Sequence, residues 1–309
     1  MPDDSPESKL YKKGGPFFSE VIERGDMTIS KNMKAYELTL EELFPRKLTD
    51  TVCINIHDVR EVWVATLMCA EYLDSFVDSI IVRDDDFKPI GIVGGFELLD
   101  HLRENPTRDY QYRTRVGEIM LKGVPLIEKK TKLRDLMEIW KNSRRAFSII
   151  LNEFGDCSTI SARRMIEVGT KCQTSISISS MPKKKIVTFR RDDSLGEILD
   201  LMYENKMRKL LLEESNQFIS DRLILGEISK MLRFQTDIDH FLDISANQFR
   251  LENAEAITED LKFNQICSIM ERMDHPFVVY KDTVFTPWDV CLTLLSEDLT
   301  MPPEVALDT

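Results

Sequence analysis

A chain of 309 residues can bury about three quarters of the surface it exposes when unfolded, so its core needs no disulfide staples. With 53 acidic against 41 basic side chains the net charge is −12, which excludes the broad cationic face that a nucleic-acid or anionic-membrane partner requires. The six cysteines, at 53, 69, 157, 172, 267 and 291, form no Cys-x-x-Cys pair and have no histidine at metal-ligand spacing, which excludes a zinc site and fits thiols packed in a reducing cytoplasm.

In chain order, residues 1–15 are acidic, then basic, without an apolar core, and read as a disordered lead rather than a signal peptide. Nowhere does an apolar run approach the roughly 18 residues that cross a bilayer, so a soluble protein is expected. Residues 16–46 hold an amphipathic stretch, Phe17, Phe18, Val21 and Ile22, expected to dock on the first module. That module opens with an alternating strand through Val52, Ile54 and Ile56 and a helix over 59–73. The second has Val124-Pro125-Leu126-Ile127, then Leu133, Leu136, Met137 and Trp140 at the three- and four-residue spacing of a helix. The third repeats this with Ile186-Val187-Thr188-Phe189 and Leu195, Ile198, Leu199 and Met202, where Ser194 and Glu197 form a capping box. The fourth uses Ile257, then Phe263, Ile266, Ile269 and Met270.

Each module closes with the same strand, turn, strand, helix pattern, over 78–102, 146–168, 208–229 and 275–295. It is plainest in the last copy, where Phe277-Val278-Val279-Tyr280, the turn Lys281-Asp282 and Val284-Phe285 lead into Thr286-Pro287-Trp288-Asp289. Self-similarity at long period marks supersecondary units that cannot bury a hydrophobic face alone. The polar stretches 104–115, with Pro106, and 169–180, rich in Ser and Thr, read as connections, and 234–251 as a partly helical link.

Val187-Thr188-Phe189, then Ser194-Leu195 with Glu197-Ile198, Leu201-Met202, and Met207-Arg208 before Leu210-Leu211-Leu212, resemble the consensus of the cystathionine-beta-synthase (CBS) domain. Val284-Phe285-Thr286-Pro287-Trp288-Asp289-Val290 is similar to the end of that motif, and the resemblance extends from about Val52 to Leu295. It implies an α/β (α+β) fold of four β-α-β-β-α repeats arranged as two pseudo-twofold pairs. The division would be an N-terminal extension over 1–46, pair 1 over 47–172, pair 2 over 173–303 and a tail over 304–309. The family includes the gamma regulatory subunit of AMP-activated protein kinase and stand-alone archaeal and bacterial sensors. It therefore implies a non-catalytic regulatory protein with no required cofactor, binding AMP, ADP or ATP between repeats, acting on an unknown protein and assembling as disc-like homodimers.

In the family's motif a Thr or Ser at the start of the last helix contacts phosphate, and an acid three residues later holds the ribose diol. Carried over, the fourth repeat keeps both as Thr286 and Asp289, while the others offer Gly94 and Glu97, Ser161 and Arg164, and Ser220 and Leu223. Arg208 and His275, just before central strands, are candidates for phosphate, and Thr188 and Ile257, near the ends of first strands, for adenine. Each has a plainer alternative. Thr286-Pro287-Trp288-Asp289 is also a helix start worth about 1 kcal/mol as a cap; Arg208 could form a surface ion pair, His275 a turn before Pro276, and Ile257 simple core. Basic clusters at 183–185 with Arg190 and Arg191, and at Arg144 and Arg145 with Arg163 and Arg164, read as solvated faces or as charges converging on a phosphate. The competing function is a ligand-free scaffold, supported by Arg164 and Leu223. An enzyme finds no support: there is no P-loop, Gly91-Ile92-Val93-Gly94-Gly95 lacks dinucleotide spacing, and no histidine neighbours a nucleophile motif.

Overall fold

The computed structural model describes residues 33–45, 54–71, 79–151, 157–182, 184–234, 238 and 240–302. Phe17, Phe18, Val21, Ile22, Val52 and Cys53 lie outside them. After the short strand β1 (Met33–Lys34) and helix α1 (Leu40–Leu43), repeat 1 runs β2 (Asn55–His57), α2 (Val62–Glu71), β3 (Ser79–Arg83), β4 (Pro89–Gly94) and α3 (Gly95–Glu104). A connection with α4 (Arg108–Arg113), α5 (Val116–Ile119) and β5 (Leu121–Lys122) leads to repeat 2: β6 (Leu126–Ile127), α6 (Leu133–Ser143), β7 (Phe147–Leu151), β8 (Cys157–Ser161) and α7 (Ala162–Lys171). After β9 (Lys184–Lys185), repeat 3 is β10 (Thr188–Phe189), α8 (Leu195–Glu204), β11 (Lys209–Leu212), β12 (Gln217–Ser220) and α9 (Asp221–Arg233). After β13 (Glu252–Asn253), repeat 4 is β14 (Glu255–Ile257), α10 (Phe263–Glu271), β15 (Val278–Tyr280), β16 (Thr283–Phe285) and α11 (Pro287–Thr293), followed by β17 (Thr300–Met301). Four β-α-β-β-α units are thus present, as the periodicity predicts.

Repeat 3 shows how the residues make the unit. The Ser194 hydroxyl accepts from Glu197 N–H while Glu197 accepts from Ser194 N–H, so two orphan amides at the start of α8 are satisfied. Leu195, Ile198, Leu199 and Met202 then face the core, each worth about 1.5–3 kcal/mol when fully buried. Lys206, at φ 53°, ends the helical course and turns the chain into β11, which pairs parallel with β10 and antiparallel with β12.

The repeats are knitted by exchange. Three of the four sheets gain a fourth strand from the segment that precedes a sibling: β5, ahead of repeat 2, pairs with β4 of repeat 1; β9, ahead of repeat 3, with β16 of repeat 4; β13, ahead of repeat 4, with β12 of repeat 3. The same leaders also close the first helix of the sibling. The N–H groups of Val62, Leu133, Leu195 and Phe263, each the first residue of its helix and without an intrahelical acceptor, bond to the carbonyls of Thr114, Leu38, Ile244 and Ile176. Return bonds run from Val116, Leu40, Ala246 and Ile178. Reciprocal donation of this kind is the topology of an approximate twofold. The described part of the N-terminal segment, including Leu38, Leu40, Leu43 and Phe44, completes repeat 2, whereas the stretch Phe17, Phe18, Val21 and Ile22 expected to dock on the first module lies outside the described residues.

Two large cores cross between the halves of the chain. One joins repeats 1 and 3, with α9 against α2 and α3; the other joins repeats 2 and 4, with α7 against α10 and α11. Gly169 permits the second contact, since a Cβ there would lie 2.3 Å from Cys267 Sγ. A small third cluster, Ile81, Ile92, Phe147, Ile149 and Cys157, packs the sheet of repeat 1 on that of repeat 2. The stretch 104–115 proves more than a connection: Thr107 caps α4 through Tyr110 N–H, and Tyr112 lies 5.4 Å from the Trp63 ring. At the far side β1 pairs with β17, and Thr300 exchanges backbone bonds of 2.8 and 3.1 Å with Gln173. Cys69, Cys172 and Cys267 are free thiols. Among the described residues no helix is long and apolar enough to cross a membrane, and no group of His, Cys, Asp and Glu is arranged for a metal.

Candidate functional site

Each repeat turns from its hairpin into its last helix, and these turns carry the motif positions. In repeat 4 Thr286 donates its backbone N–H and its hydroxyl to Asp289 Oδ2, both at 2.8 Å. Asp289 is 1% exposed, and its Oδ1 has no hydrogen-bond partner among the described residues. Burial pushes its carboxyl above the usual range, with Lys184 of β9 and the Thr286 bonds opposing. In this geometry the pair caps α11, with Pro287 as first helical residue.

The other three turns are filled differently. Glu97 accepts from Gly94 N–H at 2.9 Å and from Arg145 Nη2 at 2.6 Å, so an ion pair largely removed from water ties repeat 1 to repeat 2. Arg145 also donates to Ser79 Oγ at 3.2 Å. Ser220 Oγ accepts from Leu223 N–H at 3.2 Å, an ordinary cap. Ser161 Oγ is buried without a partner among the described residues, and Arg164 lies 5.3 Å from the Phe44 ring.

The residues that precede and open the central strands come together instead. Lys209, first residue of β11, is part-buried as a residue, but its ammonium lies 5.7 and 5.6 Å from the ring centroids of Phe218 and Phe277 and donates to Pro276 O at 2.6 Å. Those two rings, one from repeat 3 and one from repeat 4, are themselves 5.1 Å apart. Desolvation brings the lysine down to about 7; Asp221 opposes this, and Arg222, Arg208 and Arg163 add to it. His275, 5% exposed, sits edge-on to Phe218 at 6.3 Å, with Nε2 3.8 Å from Glu252 Oε2 and a buried Nδ1 that has no partner among the described residues. Burial, then Lys209 and Arg222, lower its imidazole to about 4.

Around them Arg208 pairs with Asp221 at 2.5 Å. Arg163 of α7 donates to the carbonyls of Met273 and Asp274 at 2.6 and 2.8 Å, bringing in repeat 2. Gly95 brings in repeat 1, because a Cβ there would lie 2.7 Å from Asp221 Oδ2. All four repeats therefore contribute to one polar cluster, in which Arg208 pairs with Asp221, His275 lies beside Glu252, and Lys209 is close enough to Asp221, Arg222, Arg208 and Arg163 to feel their charges. Such a cluster attracts an anion able to accept several hydrogen bonds at once.

Of the residues named from sequence, the structure brings Arg208 and His275 into this cluster and joins Thr286 to Asp289 elsewhere. Ile257 pairs with Tyr280 inside the core of repeats 2 and 4, and Thr188 is exposed on β10 opposite Leu211. Sequence reasoning missed Lys209 and Arg222. The available signal was a lysine heading an otherwise apolar triplet, Leu210-Leu211-Leu212.

Residues 178–228 match the CBS domain family. Protein MJ1225 of Methanocaldococcus jannaschii, described as a candidate archaeal homologue of γ-AMPK, superposes with a TM-score of 0.65 at 16% identity, over 79% of this chain and 96% of that one. An uncharacterised conserved protein of Pyrococcus horikoshii covers the same shares with a TM-score of 0.47 at 10% identity. The CBS-domain protein ATU1752 of Agrobacterium tumefaciens covers 42% of this chain and 91% of its own, with a TM-score of 0.35 at 17% identity. None of the curated proteins compared matches the sequence. The match to the CBS domain thus falls within repeat 3 and its flanks, and the chain shares its overall fold with the M. jannaschii protein.

Proposed function

We propose that this chain is a non-catalytic regulatory sensor that holds an adenosine nucleotide by its phosphates at the polar cluster between repeats 3 and 4. The observation that carries the reading is His275, almost wholly buried beside Lys209 with one ring nitrogen that has no partner among the described residues. A buried polar atom without a partner costs about 1–3 kcal/mol, and a phosphate oxygen would remove that cost. The fold supports the same reading, since its neighbour in M. jannaschii is described as related to γ-AMPK. Bound phosphate would draw repeats 2, 3 and 4 against a common centre, so nucleotide state would reach the outer surface as a population shift toward one arrangement of the repeats. A regulated protein partner would read that surface, in a reducing cytoplasm.

A second reading, a ligand-free scaffold, is favoured by the Glu97–Arg145 and Arg208–Asp221 pairs, which supply internal counter-charges where a ligand's would otherwise be needed. Thermal denaturation with AMP, ADP, ATP and S-adenosylmethionine in turn separates the two. A ligand at a hundred times its dissociation constant adds about 2.7 kcal/mol, and each kcal/mol raises the midpoint of a chain this size by roughly 2–4 °C. At least one adenine nucleotide is expected to raise it by several degrees, and His275→Gln to abolish the rise. Unchanged midpoints with all four compounds would establish the scaffold.

A further inference from the structure

Pairs 1 and 2 differ where their sheets face each other. In pair 1 the small cluster of Ile81, Ile92, Phe147, Ile149 and Cys157 fills the middle of that contact, and three of its members have leucines as register partners: Leu121 opposite Ile92, Leu126 opposite Ile149 and Leu151 opposite Cys157. Register partners on neighbouring strands share a face of the sheet, so the leucines continue the cluster outward. They are nevertheless 39%, 53% and 40% exposed.

The sibling repeats keep these places polar or small. Leu126 stands one residue ahead of the buried Ile127, where the other first strands have Asn55, Thr188 and Ala256 ahead of Ile56, Phe189 and Ile257. Leu151 follows the register partner of Ile127, where the others have Arg83, Glu213 and Lys281. Leu121 lies on an exchanged strand, where β9 has Lys184 opposite Val284 and β13 has Glu252 opposite Phe218. Among the described residues, the strands of repeats 3 and 4 expose no large apolar side chain. One exposed leucine needs no explanation; three around one cluster, each in place of a polar or small residue, form the apolar rim that marks an interaction site.

Charge selects the occupant. Arg83 Nη2 donates to Cys157 Sγ at 3.4 Å, which brings the 84–88 turn to the Leu151 end of the contact. That turn carries Asp84, Asp85 and Asp86 against Lys88, with the Phe87 ring 73% exposed among them. A second copy of the chain, itself at −12, would set like charge against like, and an anionic lipid surface would be repelled in the same way. Leu121 and Leu126 also stand on outer strands of their sheets, along which an extended segment can pair. We propose that this rim is the docking surface for a protein partner, seated as an extended apolar segment flanked by lysine or arginine. It stands apart from the nucleotide reading, since it lies on the other pair of repeats and requires no ligand.

The test is fluorescence anisotropy of labelled synthetic peptides with the whole chain, one with a leucine–valine core ended by lysines and one with the same core ended by glutamates. The lysine-ended peptide is expected to bind saturably and its counterpart at least about tenfold more weakly, with the difference shrinking at high salt. Leu126→Thr combined with Leu151→Glu, which copies Thr188 and Glu213 of repeat 3, should weaken the lysine-ended peptide at least about tenfold. Because that variant adds negative charge, weaker binding reports lost apolar contact rather than lost attraction. Leu121→Glu, which copies Glu252, serves the same purpose if the double variant fails to fold. Equal binding by parent and variant, no preference between the peptides, or no binding of the lysine-ended peptide at millimolar concentration each overturns the proposal. A parent dimer that becomes a monomer in the variant by light scattering overturns it in favour of a second copy. Binding that emerges only after residues 1–32 are removed overturns it in favour of the chain's own N-terminal segment.

Discussion

Burial decides what the key residues do, and burial is what a single sequence hides. Arg208 and His275 were legible as candidates because they sit immediately before central strands. Lys209, one residue further on, was not, because a lysine heading a short strand reads as a solvated edge; only the meeting of Phe218 with Phe277 makes it interior. For Asp289 the reverse holds. Its helix-start chemistry was plain in Thr286-Pro287-Trp288-Asp289, but its 1% exposure in the core of repeats 2 and 4 was not. His275 carries a pH consequence of its own. Its folded value lies at about 4 against an ordinary 6.5, so as the pH falls through 6.5 the unfolded chain takes up a proton that the folded chain refuses. The stability tied to the neutral ring is present above about 6.5 and is lost progressively toward pH 4, on the order of 2–3 kcal/mol in all. Urea titrations of the parent and of His275→Gln at pH 7 and 4.5 should show a smaller acid loss in the variant. Equal losses would mean that the ring is solvated in the folded state.

At the level of elements, the helices and central hairpins follow from periodicity and capping, and the sequence reading located them to within a few residues. It could not locate the leaders. A single helical turn followed by a two-residue strand shows neither the 3.6 nor the 2.0 period, and such a segment is ordered only by the sibling on which it docks. The hairpin turns were legible, as at Lys281-Asp282, but not which turn residue takes a left-handed conformation. Phe87, Glu214 and Lys281 occupy corresponding turns in repeats 1, 3 and 4, with φ of 59°, 54° and 55°. A left-handed conformation at an ordinary residue costs about 1–2 kcal/mol, less at Asn or Gly. Phe87 is 73% exposed, so little packing offsets that cost. Phe87→Asn is expected to raise unfolding free energy by about 0.5–1 kcal/mol, read from the denaturant midpoint; a fall instead would reveal a stabilising role for the exposed ring.

For the molecule as a whole, the division at residue 172 separates sequence repeats without separating cores. Helices α2 and α3 of the first half are covered by α9 of the second, and α7 by α10 and α11. Residues 33–172 and 173–302 expressed apart should each lack a cooperative thermal transition, whereas co-expression should restore one. A cooperative melt near the parent midpoint from either half alone would show that the cross-half cores contribute little. The reciprocal leaders also set a timetable on the ribosome. The sheet of repeat 1 lacks its outer strand until Lys122 has been made, the sheet of repeat 3 until Asn253, and the faces of α2 and α3 that pack on α9 stay uncovered before Arg233 emerges. At about 5–20 residues per second, greasy helical surface stays open to solvent for many seconds of synthesis. A nascent chain with this wiring is a natural client for holdase chaperones, and slowing translation in its second half would prolong that dependence.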